Sequence, residues 1–257
     1  MNLKGINLSG RVALVTGGSR GIGRATVLGL AELGARVLIN YSSNEAAAGR
    51  VVQEARELGT EALAVRADVS QLEEARMLVA TCREHFGRLD ILVCNAGVWE
   101  GAAVEEMSEE LWDRVIEINL KGTWTICREA VPQMKRQQQG GRIVIVSSTA
   151  GQRGEAWVSN YAASKGGQIS FAKSLAAELA AEGITVNAVA PGWVDTEMNE
   201  RVFADRGFRK KIEATIPLGR IATADDIAYP ILFLCTDWAR HITGEVLNVN
   251  GGSVLCG

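Results

Sequence analysis

Short apolar runs alternate with longer amphipathic stretches from one end of the chain to the other. The runs fall at residues 12–15, 37–39, 62–65, 91–94, 143–146, 184–189 and 246–249. Most lack polar alternation, as strands covered on both faces do. Helical patterns lie between them, among them 22–33, 44–58, 72–86 and 108–134. Strands separated by helices predict an α/β fold: one doubly wound parallel sheet of about seven strands, with helices on both faces and right-handed crossovers. No linker, internal repeat or composition break divides residues 1–257, so a single domain is expected. The polar run Gln137-Gln138-Gln139 reads as the solvated end of a helix.

Composition narrows the function classes. Apolar residues make up 47% of the chain and charged residues 22%, as in a water-soluble globular protein. A net charge of -3 gives no basic face for nucleic acid. No apolar run is long enough to span a membrane, and the first ten residues lack the shape of a signal peptide. Cys82, Cys94, Cys127, Cys235 and Cys256 are odd in number and scattered, which fits buried free thiols in a cytoplasmic protein. With only His85 and His241, a histidine triad or a metal site is not expected.

Two motifs carry the chemistry. Thr16-Gly17-Gly18-Ser19-Arg20-Gly21-Ile22-Gly23 stands where the first strand turns into the first helix. A helix N-terminus there offers free N–H groups and a positive dipole end to a pyrophosphate. A side chain at Gly17 or Gly23 would hold that ligand away, and Ala25 and Gly29 would let the helix pack closely on the sheet. The second strand ends Asn40-Tyr41-Ser42-Ser43, with no carboxylate before Glu45 to bind a ribose diol, and Arg20 lies inside the turn. Both features favour NADP(H) over NAD(H).

The second motif pairs Tyr161 with Lys165, four residues apart on one helix face, and Ser148 follows the fifth strand. A phenol is a poor acid–base group at neutral pH unless a neighbouring cation lowers its pKa. Tyr161 would protonate a developing alkoxide, and the Ser148 hydroxyl would bind the same oxygen.

These motifs resemble those of the short-chain dehydrogenases/reductases. Further matches in order are Asp68-Val69, Cys94-Asn95-Ala96-Gly97 (the family usually has Asn first), Asn119, Pro191-Gly192-Trp193-Val194-Asp195-Thr196 and Asn250-Gly251-Gly252. The resemblance implies a Rossmann-like fold and a homotetramer. It implies that Asp68 contacts adenine, that Asn95 and Gly97 line the adenosine side, and that Val194 and Thr196 hold the nicotinamide amide. Ser19, Gly21, Ile22, Val69, Ala96, Pro191 and Gly192 belong to the same cofactor site. Asn119 would anchor a water linking Lys165 to solvent. Asp68 also reads as a cap for the helix starting near Leu72. Residues 195–215 would form a substrate lid bending at Gly207, and Trp99, Trp157 and Trp193 would stand near its cleft. Within residues 160–182, Ala162, Phe171, Leu175 and Leu179 suit either the core or a subunit contact.

Within that family, Leu218-Gly219-Arg220 and Ile242-Thr243-Gly244 resemble the 3-oxoacyl-[acyl-carrier-protein] reductases. That likeness implies NADPH-dependent reduction of a 3-oxoacyl thioester. An acidic carrier protein needs a basic dock near the cleft, yet Gln139 and Glu182 stand where similar reductases can carry arginine. Lys135, Arg136 and Arg142 are the available substitutes. A coenzyme A thioester, a sugar or polyol, and a steroid-like ketone suit the same catalytic residues. A catalytically silent NADP-binding regulator is disfavoured because Ser148, Tyr161 and Lys165 are all present. A nucleotide-sugar epimerase would need a longer chain.

Overall fold

In the computed structural model, which describes residues 6–255, alternate residues of each apolar run face opposite layers. Ile143 and Ile145 enter one core, Val144 and Val146 the other. The strands are β1 (Val12–Val15), β2 (Arg36–Tyr41), β3 (Ala62–Arg66), β4 (Ile91–Cys94), β5 (Gly141–Val146), β6 (Ile184–Pro191) and β7 (Val246–Val249). All pair in parallel, in the order β3-β2-β1-β4-β5-β6-β7.

The α-helices in chain order are α1 (Gly21–Glu32), α2 (Glu45–Glu57), α3 (Leu72–Phe86), α4 (Glu109–Ile116) and α5 (Gly122–Gln137). They continue with α6 (Ala150–Arg153), α7 (Ser159–Leu179), α8 (Glu200–Phe203), α9 (Arg206–Thr215) and α10 (Ala224–Cys235). Helices α3, α5 and α7 bury one face of the sheet; α1, α2 and α10 bury the other. Strand β1 lies between β2 and β4, so the chain winds out to β3 and then returns. A crevice opens outside the carboxyl ends of β1 and β4, where the winding reverses.

The fold corrects three local readings and decides between the alternatives of a fourth. The helix predicted over 108–134 is two helices joined by a π turn at Glu117–Lys121, and the wider turn buries Asn119 completely. Gly29 serves a helix–helix contact, since a β-carbon there would lie 2.3 Å from Leu232 of α10. Gln137 is bonded at both ends to the Leu89 backbone, at 2.8 and 2.8 Å, and is not simply solvated. Leu175 and Leu179 are core residues, with Phe171 packed against them.

Cys82, Cys94, Cys127 and Cys235 are buried free thiols, and Cys256 lies outside the described residues. Among the described residues, no helix is long and apolar enough to cross a membrane, and no group of residues could hold a metal ion.

Candidate active site

The glycine turn is fixed by its neighbours. Thr16 Oγ1 accepts the N–H groups of Asn95 and Ala96, both at 3.0 Å. Asn95 Nδ2 donates back to the carbonyls of Thr16 and Gly17 at 3.0 and 3.1 Å. Asn40 Oδ1 accepts the Gly17 N–H, and its Nδ2 donates to the Ala67 carbonyl. The side chains of Asn40 and Asn95, expected at the cofactor, are therefore engaged in building its cradle.

Gly17 and Gly21 adopt φ of +63° and +51°, conformations that side chains rarely take. A β-carbon on Gly23 would lie 2.2 Å from the Gly17 carbonyl oxygen and 2.5 Å from Asn95 Nδ2. The turn thus needs this glycine for its own closure, before any ligand arrives.

A dinucleotide fits this cradle. Helix α1 starts at Gly21 with no side-chain cap and no acid in its first turn, leaving its first N–H groups for an anion. Thr196 faces the turn, 3.3 Å from a β-carbon placed on Gly21, beside an open cleft of about 730 Å³. Arg20 is exposed and makes no ion pair among the described residues. Ser42 is exposed, while Tyr41 is buried. The Asp68 carboxylate accepts the Ser70 N–H at 2.9 Å, shaping the turn before α3. It does not cap α3 itself, whose N-cap is Gln71. The Val69 side chain packs into the core.

Ser148, Tyr161 and Lys165 converge. Helix α6 lies directly on the α7 backbone: a β-carbon on Gly151 would be 2.5 Å from the Lys165 carbonyl carbon. Ser147 Oγ ties to the Lys165 carbonyl at 2.8 Å. These contacts set Ser148, which begins the α6 turn by accepting the Ala150 N–H, beside Tyr161 of α7. The Ser148 hydroxyl stands close enough to the Tyr161 phenol to act on its titration, and both line one cleft.

Burial pushes the Tyr161 phenol up to about 12; the Ser148 hydroxyl pulls the other way and the Glu155 carboxylate adds to the rise. Lys165 is not among the groups that shift the phenol, and desolvation dominates in place of the expected lowering. Lys165 is itself only 4% exposed, and burial lowers its ammonium to about 8. Its Nζ donates to the Val146 carbonyl and lies 5.6 Å from the centre of the Tyr161 ring. At neutral pH the phenol holds its proton beside a cation, a pair able to protonate an alkoxide.

Asn119 is held by several partners within the protein. Its Oδ1 accepts the Val98 N–H, and its Nδ2 donates to the Val98 carbonyl and Ser164 Oγ. Its main-chain oxygen accepts from Gln168 and Thr123. All these groups are thus engaged within the protein, and Asn119 clamps the segment after β4 to α7. A β-carbon on Gly97 would lie 3.1 Å from Asn119 Oδ1 and 3.6 Å from Lys165 Nζ, so a side chain at this position would crowd both.

Ser148 and Tyr161 line a cleft of about 390 Å³. Gly192 borders it from the end of β6, and its far wall is Trp193, Met198 and the α9 residue Phe208. Trp99 and Trp193 meet edge to face at 5.8 Å. Trp157 does not contribute: it is 71% exposed, with φ of +69°. Residues 195–215 fold as a short 3-10 turn plus α8 and α9, held by a small cluster of Phe203, Ile212, Ile216 and Ile221. Gly207 is no bend; its N–H joins the Asp205 cap of α9.

Arg153, Glu155 and Lys211 also line the cleft, and the sequence reading missed them. The available signal was that the first two lie between Ser148 and Tyr161 in the chain.

The residues weighed for a carrier dock lie away from the cleft. Gln139 precedes β5 and Glu182 precedes β6, whereas Ser148 follows β5. A strand of six residues separates the two ends by roughly 20 Å. Lys135 is paired with Glu182 at 2.6 Å and Arg142 with Asp237 at 3.1 Å, so neither forms a free basic patch at the cleft.

Residues 17–253 match the family described as Enoyl-(Acyl carrier protein) reductase. The chain is 43% identical over 249 residues to a 3-oxoacyl-[acyl-carrier-protein] reductase of Synechocystis sp., covering 96% of this chain and 98% of that one. It is 40% identical over 245 residues to an L-rhamnose 1-dehydrogenase (NAD(P)(+)) of Sphingomonas sp., covering 95% and 96%. A crystal structure of a short-chain type dehydrogenase/reductase from Mycobacterium marinum matches with a TM-score of 0.93 at 32% identity, with 99% of each chain covered. Seven parallel strands in the order observed, the glycine turn at the switch point and these likenesses lead to one conclusion: the chain belongs to the short-chain dehydrogenase/reductase family, and is an oxidoreductase acting between CH–OH and C=O groups.

Proposed function

We propose that this protein is an NADPH-dependent ketone reductase acting on a 3-oxoacyl thioester. The carrying observation is the protonated Tyr161 phenol, beside Ser148 on the wall of the cleft and backed by the Lys165 ammonium. In reduction, Tyr161 Oη gives its proton to the carbonyl oxygen as that oxygen gains charge. Ser148 Oγ donates to the same oxygen, a stabilisation that grows in the transition state. The ammonium of Lys165, 5.6 Å from the ring, steadies the phenolate left behind.

The nicotinamide cofactor, when bound, supplies the hydride. The N–H groups at the start of α1, with Gly17 and Ser19, would hold its pyrophosphate, and Val194 and Thr196 its amide. Arg20, exposed and unpaired, would read a 2′-phosphate, and no acid in the Asn40-Tyr41-Ser42 segment would repel one. Residues 195–215 would act as the lid of one domain spanning 1–257, and four copies would assemble.

The thioester reading rests on the likeness to 3-oxoacyl-[acyl-carrier-protein] reductase. A second reading, oxidation of a sugar, draws on the rhamnose dehydrogenase relative and on the paired rings of Trp99 and Trp193. Such rings suit the apolar face of a pyranose. Turnover of acetoacetyl-carrier protein, acetoacetyl-coenzyme A and L-rhamnose, each with NADP(H) and NAD(H), separates them. NADPH oxidation with either thioester supports the first reading. Turnover of the sugar alone would replace it with the second.

A further inference from the structure

We infer that the mouth of the cleft is an anion subsite, in which Arg153 and Lys211 recognise a carboxylate or phosphate carried by the substrate. This rests on the placement of substrate beside Tyr161 given above. Arg153 ends α6 and Lys211 lies on α9, so the two cations come from different elements and line one cleft with Ser148 and Tyr161. Among the described residues, neither side chain forms an ion pair or a hydrogen bond. Their neighbours are otherwise employed: Arg209 of the same helix binds Asp195 and Glu213, and Arg220 binds Asp226.

Charge in the cleft is unbalanced. Its ionised lining is two cations against the one carboxylate of Glu155. Glu155 is half-buried and in the field of Arg153, yet makes no ion pair with it. A chain whose net charge is -3 therefore has a locally positive rim at this cleft, formed by Arg153 and Lys211. Trp99 and Trp193 offer apolar wall between that rim and the reacting pair. The complementary substrate has an apolar or ring body with a ketone at one end and an anion at the other. Two sources share this chemistry: the carboxylate of a small oxo acid, or the phosphate on a pantetheine arm.

The test uses three substrates with one acetoacetyl head: the neutral N-acetylcysteamine thioester, the 4′-phosphopantetheine thioester, and acetoacetate. Values of kcat/KM are measured for the native protein, Arg153→Gln and Lys211→Gln. Both variants should lose about ten- to hundredfold on a charged substrate relative to the neutral thioester, the ordinary worth of hydrogen bonds to charged groups. Selective loss on the phosphate names the arm as the source; selective loss on acetoacetate names the oxo acid. Equal change on all three overturns the subsite while leaving ketone reduction standing. No native turnover on any of them would instead contradict the proposed reaction. Binding of 4′-phosphopantetheine and of 3-hydroxybutyrate, read by the cleft tryptophans, then decides the subsite. Weaker binding in both variants supports it, and unchanged or absent binding overturns it.

Discussion

Lys165 Nζ lies 2.8 Å from the carbonyl oxygen of Val146, so the buried ammonium is held by the end of β5 and not by the Tyr161 hydroxyl. One carbonyl does not replace a hydration shell, and burial lowers the lysine from 10.5 to about 8. The folded chain therefore disfavours the charged form. That penalty is complete below about pH 8 and is relieved as pH rises towards 10.5. It amounts to at most roughly 3 kcal/mol at about 1.4 kcal/mol per unit.

Lys165→Met should abolish turnover yet unfold at higher urea than the native protein near neutral pH. The difference should narrow as pH is raised through 8. A native protein that is the more stable at neutral pH would contradict the account of this lysine. For the native enzyme, kcat for reduction should hold up to about pH 8 and decline above it, as the cation beside Tyr161 is lost.

Ser148→Ala removes the hydroxyl beside Tyr161 and, with it, one donor to the substrate oxygen. It should lower kcat by about a hundredfold, as loss of one oxyanion donor does elsewhere, with little change in cofactor affinity. Single-turnover rates and cofactor titration check both halves.

The glycines divide by what a methyl group would meet. Gly23→Ala would collide with the Gly17 carbonyl and Asn95, so melting temperature and cofactor affinity should both fall, with stability lowered by about 1–3 kcal/mol. Gly49→Ala sits within α2 with nothing inside 4 Å of the new carbon. It should stabilise the protein by about 0.5–1 kcal/mol. Denaturant unfolding of both variants is the check.

Arg20→Ala should raise KM for NADPH several-fold more than KM for NADH, since a charge-assisted contact to a 2′-phosphate has no counterpart in NADH. Equal effects on both would remove Arg20 from phosphate recognition.

The sheet was legible because a strand buried on both faces must be apolar at every position. Residues 143–146 announce a strand whatever surrounds them. The glycine turn and the Tyr161/Lys165 pair were legible because their spacing is local. What stayed hidden depends on partners distant in sequence. Asn40 looks like a strand-end residue facing ligand until Gly17 and Ala67 are seen to take its amide. Asn119 sits in a helical pattern that gives no sign of a π turn, because periodicity does not register a single added residue. The rise in the Tyr161 pKa follows from desolvation, which only the folded environment sets. Arg153 and Lys211 are distant in the chain and meet only across the cleft.

The central claim is that the Tyr161 phenol is the proton donor in ketone reduction. NADPH oxidation by native protein and by Tyr161→Phe, side by side with acetoacetyl-coenzyme A and acetoacetyl-carrier protein, tests it most directly. Native turnover on a thioester, with a loss of about a thousandfold or more in the variant and NADPH affinity retained, is the expected result. Comparable turnover in the variant would contradict the claim.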